Sequence, residues 1–188
     1  MYRTNSGVAI EIRGSPEESL YYSRYIGPLF RRVTGIVSVS TIRNYTGGQM
    51  VGIRCCRREA YSMFHGLFGF PIGDKCLLVK VPSLILGQLS VRIDYVRGVF
   101  DTDGSVYLRN TGSPSKNIAL DISSSSRVHI FQLYGMIRTL GFNCWLESTH
   151  VRMGGWTTVN EFFRRIKPHN LIHIKRLTEF NALRAGVA

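Results

Sequence analysis

The sequence has few features that would place the chain in a membrane, on a secretory route or among zinc-binding proteins. None of its apolar stretches approaches the roughly 20 residues that a membrane-spanning helix needs. The polar start, Met1 to Ser6, lacks the apolar core of a signal peptide. The four cysteines show neither C-x-x-C spacing nor a Cys/His cluster, which argues against a zinc site and predicts core thiols. We therefore expect an intracellular, cytoplasmic protein without a membrane partner.

Acidic residues are also scarce. The chain has 12 Asp and Glu against 24 Lys and Arg, which gives a formal net charge of +12 and a pI near 10.0. An excess of this size favours a polyanionic partner, and nucleic acid is the first candidate. With 188 residues, 44% of them hydrophobic, the chain is long enough to bury one substantial core or two small ones.

The chain contains a two-fold internal repeat, with one copy starting at residue 1 and the other near residue 106. Tyr2 aligns with Tyr107, and residues 8–12 align with residues 118–122. Apolar and polar residues alternate in both segments, so we predict a pair of strands in each copy, with one apolar and one polar face.

Helix and strand signals continue in the same order in both copies. The run Ser15-Pro16-Glu17-Glu18 is a capping box with proline at the first helical position, and Gly35 is the expected end of that helix. Each copy therefore reads strand, strand, helix, strand, strand, helix. The later predicted strands are 37–43, 49–54, 142–147 and 150–153, and the later helices are 57–68, 127–141 and 157–167.

Basic and aromatic side chains lie on or beside the predicted strands. Two sheets with these polar faces turned the same way would form a concave, basic saddle for a DNA duplex. A solvated sheet face with scattered arginines fits the pattern equally well, and the net charge favours binding. The candidate DNA-binding residues are Arg3, Arg13, Arg43, Arg54, Tyr107, Arg109, Lys116 and Arg152.

Residues 90–104, between the copies, are predicted to form a helix with an acidic end. Apolar residues recur there at helical spacing, and Gly98 would allow another helix to approach closely. Asp101 and Asp103 lie at the C-terminal end, where the helix dipole disfavours carboxylates. An unfavourable charge at this place indicates a bound cation.

Two structural explanations of the acidic end compete with a functional one. A calcium loop beginning at Asp101 would need Asp or Asn, then Gly, and later Glu, at positions occupied by Ser105, Val106 and Gly112, so it is excluded. A helix merely stopped by an Asp-Gly pair remains open.

The segment Val96 to Gly104, VRGVFDTDG, resembles the LAGLIDADG nonapeptide of homing endonucleases, and residues 105–108 look like the first strand of that fold. Upstream, residues 69–75 followed by Val81-Pro82 are similar to the segment that leads into the second motif of two-motif members. With the repeat, the resemblance covers nearly the whole chain.

The resemblance implies an α+β fold of two pseudo-symmetric αββαββα half-domains. Their motif helices would pack against each other, and their antiparallel sheets would form the DNA-binding saddle. Residues 1–89 would be the first half-domain with a linker, and residues 90–188 the second, which contains the LAGLIDADG-like helix 90–104.

The implied function is that of a site-specific double-strand DNA endonuclease of intron homing, which hydrolyses phosphodiester bonds with Mg²⁺. Asp103 matches the family's metal-binding acidic residue, and Thr102 is expected to add its backbone carbonyl. Asp101 matches an acidic position less tightly tied to metal, so we expect a role at the helix end. Lys75 and Lys175 correspond to basic residues near the cut phosphates, where a lysine stabilises the phosphorane or helps to activate water.

The counterpart of residues 91–105 would precede Met1, so the first motif helix is missing from this chain. The expected explanations are an upstream segment that supplies the helix, a homodimer in which two Asp103 residues face each other, or a decayed protein. The first is preferred because the first copy is otherwise intact. The alternative function is that of a non-cleaving DNA-binding protein or an RNA-splicing maturase on the same fold.

Overall fold

A computed structural model describes residues 1–4, 7–72, 77–109 and 117–186, with residues 2–4 described in their backbone alone. The chain divides into two compact units, Met1–Lys75 and Cys76–Ala188. In the described part of the chain, no helix combines the length and apolar character needed to cross a bilayer.

The first unit contains an antiparallel sheet and two helical runs. Its strands are β1 (Tyr2–Thr4), β2 (Gly7–Gly14), β3 (Val39–Tyr45) and β4 (Gly48–Cys55), in the order β1-β2-β4-β3. Helical run α1 covers residues 16–34 in four pieces, Pro16–Glu18, Ser19–Tyr21, Tyr22–Ile26 and Gly27–Thr34. Helical run α2 covers residues 58–67 as Arg58–Ser62 and Met63–Leu67.

The predicted signals at both ends of α1 are confirmed. The Glu18 carboxylate accepts a hydrogen bond of 2.7 Å from the backbone N–H of Ser15, which satisfies a donor at the helix start. At the other end Gly35 has a φ of 71°, and its N–H donates to the carbonyl of Arg31 at 2.8 Å. This left-handed conformation is the one that favours glycine after a helix.

The core of the first unit lies between its sheet and its helices. Ile10 of β2 and Ile53 of β4 are buried together with Phe30 of α1. Glu11 and Arg13 alternate with the buried residues of β2 and belong to the opposite, outer face of the sheet. The alternation in the sequence therefore predicted correctly which residues face the core.

The second unit repeats this arrangement and adds helices. Its strands β5 (Gly104–Arg109), β6 (Asn117–Ser123), β7 (Trp145–Glu147) and β8 (His150–Gly154) form an antiparallel sheet in the order β5-β6-β8-β7. Its helices are α3 (Ser83–Leu86), α4 (Leu89–Asp103), α5 (Arg127–Thr139), α6 (Trp156–Ile166) and α7 (Leu171–Ala185). The predicted hairpin, repeat order and motif helix are all confirmed.

The two sheets also share a register. Tyr2 pairs with Ala9 in the first unit, as Tyr107 pairs with Ala119 in the second. Likewise, the strand pairs Glu11–Arg54 and Asp121–Arg152 place an acid opposite an arginine in both units. The internal repeat is therefore structural as well as sequential.

The segment before the motif helix packs into the second unit. Val81 is buried in that unit's core, and its N–H donates to Oε1 of Gln132 at 2.8 Å. The hydroxyl of Ser126 donates to the carbonyl of Val79 at 2.5 Å. The sequence predicts these residues as a linker that belongs with the first half-domain, because their short apolar run carries no sign of the partner it packs against.

The cysteine prediction holds in part. Cys55 and Cys144 are buried, and burial raises the pKa of the Cys144 thiol to about 11. Cys56 is exposed, so the prediction of a core thiol is wrong there. Cys55 is the last residue of β4 and faces the core, and Cys56 follows it beyond the end of the strand. Cys76 lies outside the described residues.

Candidate active site and nucleic-acid interface

The motif helix runs directly into the sheet of the second unit. Helix α4 ends at Asp103, and strand β5 begins at the next residue, Gly104. A Cβ atom at Gly104 would lie 2.3 Å from Cδ2 and 2.4 Å from the carbonyl oxygen of Phe100, so this close turn has no room for a side chain. The glycine of the motif therefore fixes the acidic helix end at the start of the first strand.

Asp103 lies exposed at this junction. The hydroxyl of Thr102 is 2.9 Å from Oδ2 of Asp103 and 3.2 Å from the carbonyls of Gly98 and Val99, and it can donate to one of the three at a time. The backbone carbonyl of Asp103 accepts from the hydroxyl of Ser123 at 3.4 Å. Asp103 and Thr102, both predicted site residues, thus lie in contact, with the carboxylate open to solvent.

Asp101 has a different environment although it is two residues away. Its side chain is 1% exposed, and its oxygens accept backbone hydrogen bonds from His169 at 3.0 Å and Asn170 at 3.1 Å. Asn170 donates in return to the carbonyl of Asp101 at 2.8 Å and caps α7 by accepting from Ile172 at 3.1 Å. Donors at the start of α7 therefore offset the unfavourable charge at the end of α4.

A hydrogen-bonded chain that the sequence analysis did not identify lies beside the motif helix. The Tyr95 hydroxyl is 2.9 Å from Nε2 of His129, and Nδ1 of His129 is 3.0 Å from the hydroxyl of Ser124. Burial raises the pKa of Tyr95, and the charge of Asp103 raises it further. Burial lowers the pKa of His129, which the charge of Asp103 partly opposes. No spacing in the sequence signals His129, because its partners come from other elements.

His173 of α7 packs against the motif helix, with its ring centroid 4.8 Å from that of Phe100. Burial lowers the pKa of His173 to about 4, the charge of Arg176 lowers it as well, and backbone carbonyls of Asp101 and Phe100 partly oppose the change. The folded protein therefore holds this ring neutral at pH 7.

We expect this histidine to make the second unit sensitive to acid. Because the folded pKa is below the unfolded value, the unfolded chain binds the proton first, and stability is lost as the pH falls from about 6.5 toward 4. The loss should reach about 3 kcal/mol. Urea unfolding of the parent and of His173→Gln gives the unfolding free energy of each protein at pH 7 and at pH 4. The contribution of His173 is the parent's loss between the two pH values minus the variant's loss. Equal pH dependences would contradict the assignment.

Three of the candidate DNA-binding arginines meet at one carboxylate on the outer face of the first sheet. Nη2 of Arg43 lies 2.5 Å from Oε1 of Glu11, Nε of Arg54 lies 3.6 Å from the same oxygen, and Nε of Arg13 lies 3.3 Å from Oε2. The Glu11 side chain is 2% exposed, whereas those of the arginines are 34–41% exposed. The arginines thus cover the acid and remain open to solvent.

The second sheet has a related arrangement. Asp121 lies 3.8 Å from Nε of Arg152 and 3.3 Å from Nδ1 of His150, and Nη1 of Arg152 lies 2.5 Å from Glu147. Burial raises the pKa of the Tyr107 hydroxyl, and the charge of Asp121 adds to this. Arg109, at the end of β5, is exposed.

The remaining predicted site residues lie on elements apart from these two charged clusters or outside the described residues. Lys75 and Lys116 lie outside the described residues, and Arg3 is described in its backbone alone, opposite Val8. Lys175 lies on α7, with Nζ 3.8 Å from Glu179 and its side chain 78% exposed. Among the residues that are described, no three His, Cys, Asp or Glu side chains are grouped so as to hold a metal ion.

Comparison with known proteins identifies the fold of this chain through solved structures alone. No protein-family model and no curated protein matches the sequence. Among solved structures, that of I-DmoI in complex with DNA and Mn superposes with a TM-score of 0.55 at 13% identity, covering 84% of this chain and 80% of that one. A structure of an I-SmaMI variant gives a TM-score of 0.50 at 12% identity, covering 86% and 74%. The chain therefore has the fold of the LAGLIDADG homing endonucleases, as its motif predicted.

Proposed function

We propose that the chain is a site-specific, divalent-metal-dependent DNA endonuclease. The observation that carries this proposal is the exposed carboxylate of Asp103, fixed where the motif helix meets a sheet whose outer face carries Tyr107 and Arg152. The likeness to I-DmoI, which was solved in complex with target DNA and with Mn or Mg, supports it. The structural alternative, a helix merely stopped by Asp-Gly, explains Gly104 but not a carboxylate at the C-terminal end of a helix, where the dipole disfavours it.

The donor set at Asp103 suits a hard cation in part. Mg²⁺ prefers oxygen ligands and is commonly held by one or two carboxylates while it keeps several waters. Asp103 would supply one carboxylate and Thr102 its backbone carbonyl at the helix end. Such an ion, when bound, neutralises charge on the phosphate and generates a nucleophilic water.

The chain's own residues would orient the metal-binding carboxylate and stabilise the charge that develops on the phosphate. The Thr102 hydroxyl would hold the Asp103 carboxylate in one orientation when it donates to Oδ2, which lies 2.9 Å away. Lys75 and Lys175 are proposed to stabilise charge on the pentavalent phosphorane. The basic side chains of the two sheets would contact the phosphates of a double-stranded DNA substrate.

A second acidic helix end would complete the proposed site, because each strand of the duplex needs a metal-binding carboxylate. Within its own unit the face of α4 that carries Gly98 is exposed. Apart from the helix's own backbone, the described residues place no atom within 4 Å of the position that a Cβ on Gly98 would take. This supports the proposal that another helix docks there, either from an upstream segment or from a second copy of the chain.

Selection and cleavage together test the proposed function. The chain is used to select binding sites from a mixture of a randomised duplex DNA pool and a randomised structured RNA pool. Plasmids with the selected DNA site are then incubated with Mg²⁺ or with EDTA. We expect cutting at the selected site in Mg²⁺ and binding without cutting in EDTA. Binding without cutting in both would favour a non-cleaving DNA-binding protein, and preferential selection of structured RNA would favour a maturase.

Binding to random duplex DNA should be strongly salt-dependent. Each phosphate contact contributes about −0.9 to the slope of log Kobs against log salt concentration, so Arg3, Arg109 and Lys116 alone predict a slope of about −3, and all seven candidate basic residues predict a slope of about −6. Binding measured from low to moderate salt gives this slope.

Arg109 and Arg164 form a matched pair for that measurement. Arg109→Gln should reduce the slope by about 0.9 because a phosphate contact is lost. Arg164→Gln should leave it unchanged, because Arg164 lies on α6, is 71% exposed and pairs with Glu161. A slope near zero for the parent chain would exclude the proposed basic surface.

A further inference from the structure

We infer that Glu11 is a specificity-determining positioning residue, which holds Arg13, Arg43 and Arg54 in one fixed arrangement for reading DNA bases. Asp121 has the same role for Arg152 in the second unit. The inference rests on the proposed DNA binding, and it concerns how the sheet surface separates one sequence from another rather than how the backbone is cut.

The burial pattern on the first sheet is the starting point. The Glu11 side chain is 2% exposed beneath three arginines that are each more than a third exposed. A surface arginine placed merely to attract phosphates needs no buried acid under it, and the acid reduces the charge that attracts them. Taking a carboxylate out of water is also costly, while exposed ion pairs add little stability. Fold stability is therefore a weak explanation for Glu11.

The strand register shows how the three arginines converge. Arg54 lies directly opposite Glu11 across β2 and β4, whereas Arg43 comes from β3, two strands away. Gly52 stands between them, opposite both Arg13 and Thr41. A Cβ at Gly52 would lie 2.1 Å from the carbonyl oxygen of Ile12, so this position excludes side chains. No side chain from position 52 therefore blocks the path of Arg43 to the acid.

The second unit repeats the acid at the same register position. Asp121 lies opposite Arg152 across β6 and β8, as Glu11 lies opposite Arg54, and its side chain is 13% exposed. The neighbouring residues differ, since His150 and Glu147 replace the extra arginines. One acid beneath one cross-strand arginine is thus the feature that the two units share.

An anchored arginine binds DNA differently from a free one. The guanidinium group is planar with five N–H donors, and it reads guanine through two parallel hydrogen bonds in the major groove. A long side chain without an anchor can instead reach the nearest phosphate, which carries no sequence information. An acid that fixes some donors directs the remaining ones outward, and its charge weakens sequence-independent attraction. Both effects increase discrimination between sequences.

The test compares Glu11→Gln with Glu17→Gln. Each removes one negative charge from the first unit, but Glu17 is exposed in the first turn of α1 and does not belong to the arginine cluster at Glu11. Each protein selects from a randomised duplex DNA pool, and its affinities for the selected site and for the unselected pool are then measured. For Glu11→Gln we expect tighter binding to the pool and a ratio of specific to non-specific affinity reduced by about 5- to 150-fold for each arginine that loses its geometry. Glu17→Gln should keep the parent's ratio.

Asp121→Asn provides a second, independent variant for the same selection. Hydrogen exchange of the arginine side chains provides a readout that needs no DNA. In the parent, the Nη–Hη protons of Arg43 should exchange slowly with water, because Nη2 of Arg43 donates to Oε1 of Glu11. In Glu11→Gln they should exchange faster. A parent that binds no DNA would overturn the proposed function, while these protons still report on positioning. A parent that selects a sequence which Glu11→Gln and Asp121→Asn select equally well would overturn the inference alone.

Discussion

Replacement of Asp103 by Asn is expected to abolish DNA cleavage while changing affinity for the same DNA by no more than a few-fold. The amide keeps the size of the carboxylate but loses its charge, and Mg²⁺ prefers charged oxygen ligands. The basic side chains of the sheets are untouched, so binding should survive. Cleavage is measured on a plasmid that carries the selected site, in Mg²⁺, with any missing helix partner supplied.

The structure also predicts that Asp103→Asn folds. Asp103 is exposed at the C-terminal end of α4, where the helix dipole disfavours a negative charge, and loss of that charge should change the unfolding free energy by only about 0.3 to 1 kcal/mol, in the stabilising direction. A loss of cleavage can therefore be separated from a loss of structure by the urea unfolding curve of the same preparation.

Glu161→Gln is the matched control in the same unit. Glu161 lies on α6, is 38% exposed and pairs with Arg164, so its neutralisation removes a charge from the second unit without touching the proposed metal ligand or the Gly98 face of α4. It should cut at the parent's rate. If Asp103→Asn also cuts at that rate in Mg²⁺, the assignment of the site is wrong; if the parent binds but never cuts, the chain is a binder or a maturase.

The parts of the fold that could be predicted from the sequence are those determined by near neighbours in the chain. The alternation of apolar and polar residues predicted that Ile10 faces the core and Glu11 the outside. The capping box and Gly35 marked the ends of α1. The motif marked α4 and its acidic end. These signals depend on strand and helix geometry alone, so one sequence is enough to read them.

Long-range pairings could not be predicted, because they depend on register and packing. The sequence placed Arg43 and Glu11 on polar faces but gave no means to see that they meet, since β2 and β4 are far apart in the chain and no short turn sets their register. Likewise Val79 and Val81 looked like part of a linker, and their partners Ser126 and Gln132 lie about 50 positions later in the chain. The arginines were therefore found as candidates, and their common anchor was not.

Asp101 shows the same limit at the candidate site. The resemblance suggested a role at the helix end, but the side chain's partners are the backbone groups of His169 and Asn170, 68 and 69 residues away in the chain. Two acids at alternate positions of one motif thus have opposite surroundings, one buried and one exposed. Helical spacing alone places them on different faces, and the packing of α7 determines which of them is buried.

Replacement of Asp101 by Asn should therefore destabilise the protein strongly, in contrast to the same change at Asp103. The carboxylate accepts backbone hydrogen bonds from His169 and Asn170 at 3.0 to 3.1 Å while 1% exposed. An amide offers one acceptor, and its NH₂ group has to face N–H donors that it cannot satisfy. Hydrogen bonds to charged groups contribute about 1.5 to 3 kcal/mol each, so we expect a loss of about 3 kcal/mol in unfolding free energy.

The position of the loss distinguishes this explanation from a general effect of lost charge. Asp101 joins the end of α4 to the start of α7, so the amide protons of His169, Asn170 and Ile172 should exchange faster in Asp101→Asn, while those of the first sheet change little. Urea unfolding and hydrogen exchange of Asp101→Asn and Asp103→Asn under identical conditions measure both effects. Equal stabilities for the two variants would show that the hydrogen bonds of Asp101 do not hold α7 in place, and that its burial has another cause.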